Sequence, residues 1–99
     1  MQNIMVILQD LVKRLKEQSL LSVIDKIWLF GSRVRDEADE RSDIDLAILC
    51  PNATLTQWYK IVDIIEETPT LLKFDIIRYE EASGEFQQRI QQEGRVVYE

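Results

Sequence analysis

Residues 26–50 constrain this chain more than any other stretch. An apolar run, Lys26-Ile27-Trp28-Leu29-Phe30, ends in Gly31-Ser32, ten residues intervene, and a second strand-like run over 43–50 opens on Asp43-Ile44-Asp45. The first run is continuous in its hydrophobicity, which predicts a strand buried on both faces. The second alternates. Side chains in a strand point to opposite faces with period two, so Asp43, Asp45, Ala47 and Leu49 share one face while Ile44, Leu46, Ile48 and Cys50 share the other. Carboxylates on adjacent same-face positions repel unless solvent or a cation relieves them. By itself an Asp-x-Asp at a strand start is usually a solvated strand end, and Gly-Ser after a strand usually a turn.

The flanking segments supply a scaffold. Ile4, Ile7, Leu8, Leu11, Val12 and Leu15 recur at the spacing of one helical face, which predicts an amphipathic helix over 3–17. Met5 and Val6 widen its apolar stripe beyond what one sheet contact needs. Pro51-Asn52 breaks the second strand, and Thr54 with Gln57 forms a capping-box pattern for a helix to about residue 67. Its expected inward face is Leu55, Trp58, Tyr59, Val62 and Ile65. A third strand is expected over 71–79, with Asp75 between apolar neighbours where a lone carboxylate is costly to desolvate. A last helix over 84–93 should turn Phe86 and Ile90 inward and stop at Gly94. Residues 95–99 read as a short extended tail.

Composition then narrows the chemistry. At 99 residues the chain is expected to form one domain, residues 1–99, burying roughly two-thirds of its unfolded surface. It has no histidine and a formal charge of −6. Imidazole-based zinc sites and Ser-His or Cys-His nucleophiles are therefore excluded within it, and carboxylates must carry any metal, which points to hard cations such as magnesium or manganese. The acidic balance argues against broad nucleic-acid binding. Arg33, Arg35 and Arg41 nevertheless bracket the acidic stretch after Gly31-Ser32, and arginine suits phosphate. Cys50 is the only cysteine, so no internal disulfide forms, and no apolar run approaches the ~18 residues of a membrane span. A cytoplasmic protein without a membrane anchor is expected.

Ser32 is expected to cap a short helix through about Arg35, leaving backbone N–H groups free for a phosphate. With three carboxylates on two strands, the set suits metal-assisted phosphate chemistry, in which cations held by Asp43 and Asp45 neutralise a triphosphate and Asp75 faces them.

The spacing Gly31-Ser32, ten residues, Asp43-x-Asp45 resembles the signature of the DNA polymerase β-type nucleotidyltransferase superfamily, and GSRVRDEADERSDIDLAIL looks like its minimal nucleotidyltransferase (MNT) group. The resemblance extends to the closing Ile90, Glu93 and Gly94. It implies an α/β (α+β) fold, a small mixed sheet with helices packed on it. It also implies ATP as substrate, a two-metal magnesium site at Asp43, Asp45 and Asp75, and phosphate binding by Gly31, Ser32, Arg33 and Arg35. Many relatives have glycine where this chain has Asp36, which adds a negative charge beside the expected triphosphate. MNT proteins typically pair with a helical HEPN-domain toxin as its antitoxin, and members transfer AMP to a tyrosine of that toxin. The resemblance thus implies a protein adenylyltransferase. A nucleotide-binding antitoxin that acts by occupation alone and an aminoglycoside-type small-molecule nucleotidyltransferase are the alternatives.

Overall fold

The computed structural model describes residues 3–34 and 43–99. Along the chain come helix α1 (Ile4–Glu17), strand β1 (Lys26–Phe30), a 3-10 turn (Gly31–Arg33), strand β2 (Ile44–Leu49), helix α2 (Leu55–Glu66), strand β3 (Phe74–Arg78), helix α3 (Gly84–Glu93) and strand β4 (Arg95–Tyr98). The sheet order is β3-β2-β1-β4. Strands β2 and β3 run parallel, with α2 as their crossover, while β1 pairs antiparallel with β2 and with β4. The mixed sheet with packed helices is the expected architecture.

Both faces of the sheet are covered, which is why β1 has no polar alternation. On one face Ile27, Leu29, Ile44, Leu46 and Ile48 meet Leu11 and Leu15 of α1 and Ile61 and Ile65 of α2. On the other, Trp28 and Ala47 meet Tyr79 and Ile90. The Trp28 and Tyr79 rings stack at 4.9 Å. Tyr79 is held in turn by α3, whose Gln87 side chain donates to its carbonyl at 2.9 Å and whose Gln91 side chain donates to its hydroxyl.

Local signals set the element ends. Asn3 caps α1 by accepting from Met5 N–H at 2.9 Å. The expected capping box of α2 is present: Thr54 Oγ1 accepts from Gln57 N–H at 3.1 Å, and Gln57 Oε1 accepts from Thr54 N–H at 2.8 Å. Gly94 ends α3 as expected, but with φ −72° and not in the left-handed region. Space is the reason, since a Cβ there would overlap the Ile90 carbonyl and crowd Trp28. The tail after it is a strand, β4, paired with β1.

Two expectations about faces need correction. In helix α2 Ile65 is buried and Trp58 packs on the core as expected, but the face is turned by roughly a quarter turn, at 100° per residue: Ile61 is buried with them, while Leu55 and Tyr59 are 61% and 58% exposed. The helix carries more apolar residues than one face can hold, and packing against both α1 and β3 selects the Ile61 stripe. In α3, Ile90 is buried, but Phe86 lies at the rim, edge-to-face with Phe30 at 5.5 Å. Ile61→Ala is expected to cost about 2–5 kcal/mol in urea unfolding, and Leu55→Ala to stay within about 0.5 kcal/mol. Equal losses would contradict the burial of Ile61 and the exposure of Leu55.

Candidate functional site

The site is assembled by register. In β2, Asp45 pairs with Phe30 of β1 on one side and with Asp75 of β3 on the other. Paired residues of neighbouring strands point to the same face, so Phe30, Asp45 and Asp75 form one row, with strands about 5 Å apart. The next row is Trp28, Ala47 and Ile77, on which α3 packs. The carboxylates therefore stand at the end of the apolar face that α3 covers. Asp43 directly precedes β2 and is exposed.

Gly31 carries the turn that lies against this row. Its φ is +79°, a left-handed conformation that a side chain rarely adopts, and a Cβ there would overlap Asp45 Oδ2. Glycine thus lets the backbone after β1 lie against a carboxylate, with the turn closed by a 3.2 Å bond from Val34 N–H to Gly31 O. The sequence led to Ser32 as the cap of a short helix; instead the turn starts at Gly31 with Phe30 in the cap position, and Ser32 lies within it. Arg33 ends the turn and is half-buried. Arg35 and Asp36 lie outside the described residues.

Asp75 differs from expectation. It is exposed, so no desolvation cost needs compensating. Asp45 is half-buried between its two neighbours. The donors in this row are oxygen only, which suits a hard cation. Among the described residues, however, no three His, Cys, Asp or Glu side chains converge closely enough to hold an ion. The register thus unites Asp45 and Asp75 beside Gly31, while Asp43, two residues before Asp45, does not complete a three-carboxylate cluster with them.

Sequence reasoning missed two supports. Phe30 beside Asp45 was legible only as core, although its period-two relation to Trp28 put it on the carboxylate face. The second is a clamp at the far end of β2 and β3. The Arg78 guanidinium donates to the Cys50 and Ala53 carbonyls, each at 2.8 Å, and pairs with Glu80 at 3.1 Å. Glu80 in turn accepts from Cys50 N–H at 2.6 Å. At the near end, Ile44 N–H donates to Lys73 O at 2.8 Å.

Cys50 takes no part in the carboxylate row. It is fully buried among the core of the opposite face, the small strand-end residue expected from sequence. Burial, reinforced by the Glu80 carboxylate, pushes its thiol from 9.0 up to about 11. The folded chain keeps this proton to higher pH than the unfolded chain, so the associated stability is present below pH 9 and lost as pH rises toward 11.

Residues 9–99 match the family model described as Polymerase beta, Nucleotidyltransferase. No curated protein matches the chain. Among solved structures, it is similar to a toxin–antitoxin crystal structure with AMP-PNP, at 20% identity and a TM-score of 0.71, over 92% of this chain and 72% of that one. It is also similar to an MntA–HepT toxin–antitoxin structure, at 18% identity and a TM-score of 0.64, over 94% of this chain and 70% of that one. A third is a tri-AMPylated Shewanella oneidensis HEPN toxin in complex with MNT antitoxin, at 18% identity and a TM-score of 0.65, with the same coverage. At these identities the likeness is one of fold.

Two measurements check the site. Gly31→Ala is expected to cost more than about 1 kcal/mol, and adding Asp45→Ala should recover part of that loss in a double-mutant cycle, because the overlapping atoms are gone. Purely additive losses would contradict the close approach. The Cys50 thiol should react with a disulfide reagent at pH 8 only as fast as the chain unfolds, and urea should restore the rate of an ordinary thiol; rapid labelling of the folded chain would contradict its burial.

Proposed function

The chain belongs to the polymerase β nucleotidyltransferase family, and we propose that it is a magnesium-dependent protein adenylyltransferase, the antitoxin of a HEPN-domain toxin, transferring AMP from ATP to a tyrosine of that partner. The observation that carries this reading is the register that sets Asp45 beside Asp75, against the left-handed Gly31 turn. It is supported by the family match over residues 9–99 and by the fold shared with toxin–antitoxin complexes, one with AMP-PNP and one with an AMPylated toxin.

In this reading Gly31, Ser32 and Arg33 meet the β- and γ-phosphates with backbone N–H groups and a cation, with Arg35 as a further phosphate contact. Asp43, Asp45 and Asp75 would hold magnesium, which neutralises the triphosphate and the departing charge. The phenol oxygen of the partner forms a bond to the α-phosphorus. The bond from that phosphorus to the oxygen bridging to the β-phosphate breaks, and pyrophosphate leaves with its electron pair. The phenol proton passes to Asp75, which is exposed and can release it to water. In-line displacement tolerates little misplacement, so the carboxylates matter more to rate than any arginine.

A second reading has one observation behind it. Because no three ligating side chains converge among the described residues, the chain would keep a nucleotide site with little turnover and neutralise its partner by occupation alone.

Intact mass of the purified HEPN-domain partner, after incubation with this protein, ATP and magnesium, separates the two. One or more added AMP masses are expected, and Asp43→Asn or Asp45→Asn should slow their appearance by at least ~100-fold. A partner that binds tightly with no change of mass would replace the enzyme by the binding-only antitoxin.

A further inference from the structure

Strand β3 is an outer strand of the sheet, and among the described residues nothing pairs with its free rim. In a parallel pair, successive residues direct their N–H and C=O alternately to either side. Lys73 O accepts from Ile44 N–H, so positions 73, 75 and 77 bond toward β2, while Phe74 and Ile76 direct their main-chain groups outward. A cavity of about 360 Å³ opens at this rim between α2 and α3. Trp58 bounds it on one side of the sheet, Phe86 and Ala82 on the other, and Ile76 and Ile77 form its floor. It lies at the low end of the about 300–1,000 Å³ of ligand pockets, and its Trp58, Ile76, Ile77, Ala82 and Phe86 lining suits an apolar side chain.

Its position ties it to the carboxylate row. Ile77 lies two residues beyond Asp75 on the same strand face, a distance of about 6–7 Å. The surrounding exposed charge is predominantly acidic, Asp75, Glu81 and Glu85 against Lys73, in a chain of formal charge −6. Arg78 also borders the cavity, but its guanidinium is committed to Glu80 and the Cys50 and Ala53 carbonyls.

We propose that the free rim of β3 receives the acceptor segment of the protein partner as a fifth strand, an inference that rests on the adenylyltransferase reading above. The segment is extended and basic. It places the acceptor tyrosine opposite Asp75 and, two residues along, an apolar side chain in the cavity under Phe86. Period-two alternation puts both side chains on the same face whichever way the segment runs. Main-chain bonds to Phe74 and Ile76 supply affinity, the cavity selects the neighbouring side chain, and the carboxylates favour a lysine or arginine in the segment.

The test uses the full chain with its HEPN-domain partner and follows steady-state AMP transfer. Ala82→Trp fills the cavity, Phe86→Ala removes its wall, and Ile76→Pro deletes an outward N–H without touching the ladder to β2. Each is expected to raise the KM for the partner about tenfold, equal to about 1.4 kcal/mol, with ATP affinity by calorimetry and the urea midpoint near wild type for Ala82→Trp. Phe86→Leu should restore most of the loss of Phe86→Ala. Unchanged KM in Ala82→Trp and Phe86→Ala, with transfer intact, overturns the rim as the acceptor dock and leaves the adenylyltransferase reading standing. So does a rim that only joins two copies of this chain, seen as a dimer that Ile76→Pro dissociates without altering transfer. Absence of transfer by the wild-type chain overturns both.

Discussion

Two carboxylates side by side on neighbouring strands repel each other, and the register of β2 against β3 has to hold against that repulsion. A slip of one residue would send Asp45 into the apolar face shared with α1 and α2, and would turn Leu46 toward α3. The fold resists the slip at three places. Burial of Ile44, Leu46 and Ile48 fixes which side of β2 faces the helices. The bond between Ile44 and Lys73 pins the near end. The Arg78 and Glu80 clamp pins the far end to the Cys50 and Ala53 backbone. The acidic row is thus a product of apolar burial elsewhere in the sheet.

Much of this is legible in the sequence itself. Hydrophobic periodicity gave α1 to within a residue, and the continuous run at Ile27-Trp28-Leu29 correctly signalled two covered faces. The alternation in β2 assigned every side chain from Ile44 to Cys50 to its observed face. Capping chemistry set the start of α2, and the resemblance carried by Gly31-Ser32 and Asp43-x-Asp45 led to the family that the match over residues 9–99 establishes.

What the sequence hid was chiefly lateral. A chain read in one dimension shows that Asp75 follows Phe74 in a strand, but not that the strand lies at the rim, and it is this placement that leaves Asp75 solvated. The inward face of α2 was ambiguous for a similar reason: seven apolar residues crowd twelve positions, and only the angle at which α1 and β3 approach selects Ile61, beside the expected Ile65, over Leu55 and Tyr59. The role of residues 95–98 depended on a partner, β1, some seventy residues earlier. Gly31 was legible as a turn, whereas the reason for glycine, the carboxylate pressed against it, was visible only in space.

The order β3-β2-β1-β4 also distributes motion unevenly across the row of carboxylates. Asp45 rides on an interior strand bonded along both sides, which can open only when much of the sheet does. Asp75 rides on a strand bonded along one side, and outer strands with fewer buried contacts open locally at lower free energy. Any local opening of β3 would therefore displace Asp75 while Asp45 and the packed interior stayed in place, so the two acids differ in how firmly the fold holds them.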